Sequence, residues 1–350
     1  MSKKILYLFF FPLIFFGSCN DENNNSTKDY KVILENLSNN VILATYKELH
    51  QSTLILVQTC EYLKNNKTES ALDSIRSSWR IARVPWEQSE GFLFGPVDQQ
   101  GIDPSIDSWP VNKPDLEAVL SSKNILTKEY IDGLDGTLKG FHTIEYLIFG
   151  EGSIKKVQEF TDREFEYLIS CAQSLEGATQ QLLNAWAPEK QNFIKNIVNA
   201  GEPGNSFYPS QKAALQEIVN GMIVIADEVA NGKINDPLSQ QNTNLEESRF
   251  SANSKRDFSD NIRSIQHLYD GVYKQNGAQG INIIVLENNP GLHSKITTQI
   301  AEAIHAIENI PGTFTQAIIQ NPNEVINAQN KVRLLQLTLE SELLPIILNL

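Results

Sequence analysis

KVILENLSNNVILATYKELHQSTLILVQTCEYLK, residues 31–64, decides the fold. Val41, Leu43, Tyr46, Leu49, Leu54 and Val57 recur at spacings that share one broad helical face. The same period returns at 69–93, where Ala71, Leu72, Ile75, Trp79, Ala82 and Trp86 carry it, and at 159–184 and 188–199. It resumes at 211–231, 256–275, 293–309 and 324–348. Two-residue alternation is scarce, and GINIIVL at 280–286 is the best strand-like fragment. The pattern predicts an all-α protein of helices packed in bundles. Gly95-Pro96, Gly150, Gly201, Gly232 and Pro311-Gly312 are read as helix stops. The Gly/Pro-rich segment GEPGNSFYPS at 201–210 is read as an internal boundary, giving a helical subdomain at 31–200 and a helical bundle at 211–350.

The chain has 350 residues, 41% of them hydrophobic and 20% charged, enough to build a large core. Its net charge of -13 argues against nucleic-acid binding, because an acidic surface gains nothing from phosphate counterion release. No glycine-rich phosphate loop occurs, so nucleotide cofactors have no support. Two long irregular segments, 94–115 and 234–254, are expected at the surface, where binding residues often lie.

The amino terminus has its own logic. Lys3 and Lys4 precede an unbroken apolar run from Ile5 to Phe16. As a helix that run spans about 18 Å against a hydrocarbon core of about 30 Å, too short for a comfortable membrane span. Residues 1–18 fit a secretory signal. Gly17-Ser18-Cys19 at its end resembles a bacterial lipoprotein site, which would place a lipid anchor on Cys19 and the protein in the cell envelope, held to the membrane. The polar stretch 19–30 then reads as a flexible tether. Export makes a Cys60–Cys171 disulfide permissible, and buried thiols are the alternative.

Three groups of residues suggest chemistry. In GFHTIEYLIFG, 140–150, His142 and Glu145 stand at i and i+3 on one helical face. They could hold a metal together, or the carboxylate could orient the ring. Gly140 would let another chain segment approach just before the His. In 79–96, Arg83, Glu87 and Glu90 line one stripe beside Trp79 and Trp86, with Pro85 predicting a kink. Arg83–Glu87 reads as a salt bridge, and Glu90 as the carboxylate free to join a site. In 246–258, Ser254 and Asp257 resemble a capping box, which leaves Glu247 and Ser248 for a ligand.

Together these groups resemble the imelysin family, the insulin-cleaving envelope peptidases. GFHTIEYLIFG carries the GxHxxE signature, 79–96 resembles the family's other N-terminal motif, and ESRFSANS at 247–254 matches its second-half motif. The resemblance runs from about residue 35 to the end. It implies two bundle-like helical halves with a groove between them and the motifs gathered near it. It also implies that His142 and Glu145 are the signature pair, with Arg83, Glu87, Glu90, Glu247 and Ser248 as ligand-binding companions. The family is classed with metallopeptidases, and other members are associated with iron uptake or regulation.

Three functions follow as expectations. A binding protein would capture iron, zinc or a haem-type ligand in the groove. A metallopeptidase would hold its metal on His142, Glu145 and one more carboxylate and use Glu90 or Glu247 as base. A scaffold lipoprotein would need the His–Glu pair only for packing. Any composite site requires His142 and Glu145 to lie beside Glu90 and Glu247.

Overall fold

The computed structural model describes residues 28–350. The signal-like segment 1–18, the lipidation candidate Cys19 and most of the 19–30 tether lie outside those residues. Among the described residues no helix is long and apolar enough to cross a membrane.

The first half is built on α1 (Leu43–Asn65), α2 (Glu69–Glu87), α3 (Gly140–Phe149) and α4 (Asp162–Trp186). A π-helical turn, Leu37–Ile42, leads without a break into α1. α1 packs on both α2 and α4, and α3 lies against α2 and α4. The second half is built on α5 (Gln211–Asp227), α6 (Ser254–Asp270), α7 (Ile281–Asn288), α8 (Pro290–Glu308) and α9 (Pro322–Thr338). α8 packs against α6 and α9, and α5 packs on the same two. Capping explains several starts. Thr68 accepts from the Ala71 N–H, Thr161 forms a capping box with Glu164, and Ser210 accepts from the Ala213 N–H. Each such cap stabilises a helix by about 1 kcal/mol.

The halves meet where α6 packs on α2 and where α5 packs on the Glu90–Phe92 turn. A β-carbon on Gly221 of α5 would stand 2.3 Å from the Gly91 carbonyl oxygen, so only glycine allows that approach. The buried apolar side chains form one contiguous core through both halves.

Several local expectations are corrected. GINIIVL is helical, because Ile281, Ile284 and Val285 turn inward at three- and four-residue steps. Among the described residues the strands are Val272–Tyr273 and Asn276–Gly277, a short antiparallel hairpin. Gly232 does not stop its helix: α5 passes into a π-helical segment, Glu228–Ile234, and on through Asn235–Gln240. Pro85 lies inside α2, two residues before its end at Glu87. Within 188–199 only Ile194–Val198 is helical. Ser254 and Asp257 form no capping box: the Ser254 hydroxyl donates to Glu246 Oε1, and Asp257 accepts from Asn253 Nδ2. Cys60 and Cys171 are buried free thiols.

Candidate metal centre

Charged residues from both halves converge on the seam between α2 and α6. Arg83, Glu87, Glu90, Asp107, His142 and Glu145 come from the first half, and Lys233, Glu247 and Asp257 from the second. None of the nine is more than 7% exposed. Charges taken this far out of water persist only when paired and hydrogen-bonded.

Arg83 is the hub. Its guanidinium pairs with Glu87, Asp107 and Glu247, and lies 3.5 Å from Asp257. The Phe141 and Trp79 rings flank it, with centroids 5.2 and 5.9 Å away. The spacing of Arg83 and Glu87 on α2 does produce an ion pair, and it is fully buried. Trp86 shares the burial, and its Nε1 donates to Asp107 Oδ2 at 2.6 Å. Asn261 on α6 donates to Glu87 Oε2 at 2.6 Å. Glu90 lies on the short 3-10 turn after α2 and accepts from Lys233 Nζ at 2.8 Å.

His142 is held from two sides. Its Nε2 is 2.8 Å from Asp107 Oδ1 and its Nδ1 is 3.3 Å from Glu145 Oε2. Glu145 Oε1 accepts from both the backbone N–H and the hydroxyl of Ser251, each at 2.7 Å. Both oxygens of Glu145 are thereby engaged in fixing the ring and the 247–254 loop. The residue that faces Nε2 is Asp107, and Gly140 explains how it gets there. Gly140 has φ +74°, and a β-carbon on it would lie 2.3 Å from the Ile106 carbonyl oxygen. The glycine of the signature therefore lets the 106–107 backbone press against the start of α3.

The electrostatics follow the geometry. Burial works against the His142 imidazolium, but Asp107 and the bond to Glu145 outweigh it and raise the ring to about 9. Burial also opposes ionisation of Asp107, but Arg83 and His142 overcome it and hold the carboxyl below its usual range. Burial pushes Glu87 and Glu90 well up, despite Arg83 and Lys233 beside them. Lys233 stays charged against its burial because Glu247, Glu90 and Glu87 surround it.

The sequence singled out Arg83, Glu87, Glu90, His142, Glu145, Glu247 and Ser248, and the structure brings all of these to the seam. Ser248 is fully buried there, and its hydroxyl has no hydrogen-bond partner. Asp107 and Lys233 were missed as individual residues, although Asp107 lies in the irregular 94–115 segment. Lys233 enters through the π-helical segment. There Val229, Ala230, Lys233 and Ile234 are buried together.

Asp107, His142 and Glu247 each offer a ligand atom, and these atoms lie within 4.8 Å of one another. Glu247 Oε2 is buried and has no hydrogen-bond partner. One nitrogen and two carboxylate donors suit iron or manganese better than the His- and Cys-rich sets that zinc favours. The donor set therefore fits a hard divalent cation. Glu145 stands behind the ring as an orienting group for that set. A pocket of 290 Å³ adjoins the seam, lined in part by Trp109, Lys113, Glu246, Glu247, Arg249 and Phe250. His142 is not among its lining residues; the Trp109 ring lies 5.8 Å from the imidazole. A haem could not reach His142 from this pocket without moving Trp109.

Residues 42–340 match the imelysin family of the M75 peptidase class. The chain belongs to the imelysin family. It is 28% identical over 312 residues to iron-regulated protein A of Synechococcus elongatus, covering 88% of this chain and 84% of that one. It also resembles the crystal structure of a protein assigned as an iron-regulated protein A precursor from Parabacteroides distasonis. That match has a TM-score of 0.81 and 26% identity, over 89% of this chain and 93% of the other. An imelysin-like protein from Psychrobacter arcticum shares the fold, with a TM-score of 0.74 at 13% identity over 91% and 95% of the two chains.

Proposed function

We propose that this imelysin-family protein is a lipid-anchored protein of the bacterial cell envelope that binds a divalent cation, iron foremost, and serves iron uptake. The carrying observation is the donor set at the seam: Asp107, His142 and Glu247 offer ligand atoms within 4.8 Å of one another, and Glu247 Oε2 is buried without a partner. A divalent ion on these three would use that free oxygen. The iron-regulated names of two relatives support iron as the ion, and the lipoprotein-like leader supports the envelope.

A peptidase reading fits less well. Glu90 is engaged by Lys233, and Glu247, the other candidate base, is bonded by Arg83 and Lys233 and is itself a ligand of the proposed ion. The seam is also too buried to admit a peptide. The scaffold reading accounts for the packing but leaves the free carboxylate oxygen without a role.

Thermal unfolding tests the proposal. The purified protein is melted in chelator and then with ferrous iron, ferric iron, manganese, zinc, calcium or haem. A ligand at one hundred times its Kd stabilises the folded state by about 2.7 kcal/mol. A selective rise with ferrous iron or manganese that His142→Ala and Glu247→Gln abolish is expected. No rise with any ion contradicts the reading.

A further inference from the structure

The seam holds more carboxylate ligands than one cation needs. Glu87, Glu90, Asp107 and Glu247 also offer oxygens that lie within 4.8 Å of one another. This second lobe contains no nitrogen or sulfur donor and shares Asp107 and Glu247 with the histidine lobe. A lysine side chain reaches three of the four. Lys233 Nζ lies 2.8 Å from Glu90, 3.1 Å from Glu247 and 3.8 Å from Glu87. The Trp109 ring caps it, with its centroid 5.4 Å from the ammonium.

We propose that the four-carboxylate lobe is a second cation position, with the Lys233 ammonium as its built-in occupant and competitor. It would take a hard divalent ion such as manganese or calcium once the lysine is gone. Two observations carry this beyond the number of carboxylates. One is the buried Glu247 Oε2 without a partner, on a residue common to both lobes. The other is that a cation already stands among these oxygens. An all-oxygen set of four carboxylates matches calcium, magnesium and manganese. In the wild-type protein Lys233 also holds Glu247 Oε1, so a metal in the histidine lobe must share that carboxylate with it. The lysine thereby weakens capture and speeds release, which suits a protein that passes its ion on.

The proposal builds on the cation-binding reading above, and one experiment separates the two. Lys233→Met and Lys233→Gln are made in the full chain, each with and without His142→Ala. Each protein is melted in chelator, manganese and calcium, and titrated with both ions by calorimetry. The lysine variants are expected to melt lower than wild type in chelator and to recover with either ion. They should bind one equivalent more than wild type, and that equivalent should survive His142→Ala. A lysine that is only structural gives the same loss without rescue and without an added equivalent, which overturns the proposal. So does failure of both variants to fold with or without the ions. If wild type binds nothing while Lys233→Met binds one equivalent, this inference stands and the histidine-lobe reading falls. If wild type binds but the variants add nothing, the reverse holds.

Discussion

Arg83 holds the seam together, and its removal should be the most damaging single change at the site. It pairs with carboxylates from both halves while fully buried. Breaking a buried pair by deleting one partner costs about 3–5 kcal/mol, since the remaining charges stay out of water. Arg83→Met is therefore expected to lower stability by about that amount in a denaturant titration. Gly140→Ala should act differently. Its new β-carbon collides with the Ile106 carbonyl, so Asp107 must withdraw from His142. The expected outcome is a modest loss of stability with a large loss of cation affinity, read by melting and calorimetry together. Much of this residue-level picture is legible in the sequence. His142 with Glu145, and Arg83 with Glu87, are set by helical spacing that any reader can count. Asp107 is not legible, because it comes from a loop whose approach depends on a glycine 33 positions later in the chain.

At the scale of elements, the π-helical segment Glu228–Ile234 decides which residues from the second half reach the site. An α-helical reading ends the helix at Gly232 and leaves Lys233 in the following loop. The wider turn instead carries the helix through Gly232 and brings Lys233 among the carboxylates. Deleting Gly232 should return the segment to α-helical register and rotate the lysine away from them. That deletion is expected to reproduce the cation-rescued melting of Lys233→Met. A deletion that melts low and ignores manganese and calcium argues against the π turn as the placing device. The helices themselves were readable from apolar period. The π segment was not, because a wider turn adds one residue without changing the local composition. GINIIVL was misread for a related reason: a short run that is mostly apolar carries no period of its own.

At the scale of the molecule, the seam makes stability depend on pH. In the unfolded chain His142 titrates near 6.5, and in the folded protein near 9. Its stabilisation is fully present below about 6.5 and is lost as pH rises through about 9. Asp103, near Asp107, is raised to about 7 by burial and by Asp107, so its contribution is already lost by neutral pH. Glu87 and Glu90 are raised as well, and act in the same sense. Asp107 is depressed, so its contribution is present above about 3.8 and lost in acid. The metal-free protein should therefore be most stable in mildly acidic solution. It should lose on the order of 3 kcal/mol from His142 alone between pH 6.5 and 9.5. His142→Gln should flatten that slope. Cation affinity should run the other way and rise toward pH 9, because the metal must displace the proton on His142.

Anomalous diffraction from crystals grown with manganese or ferrous iron tests the central claim most directly. The account predicts a peak between Asp107, His142 and Glu247, about 2.0–2.3 Å from the imidazole Nε2. A cation found only elsewhere, with His142 still paired to Asp107, would contradict it.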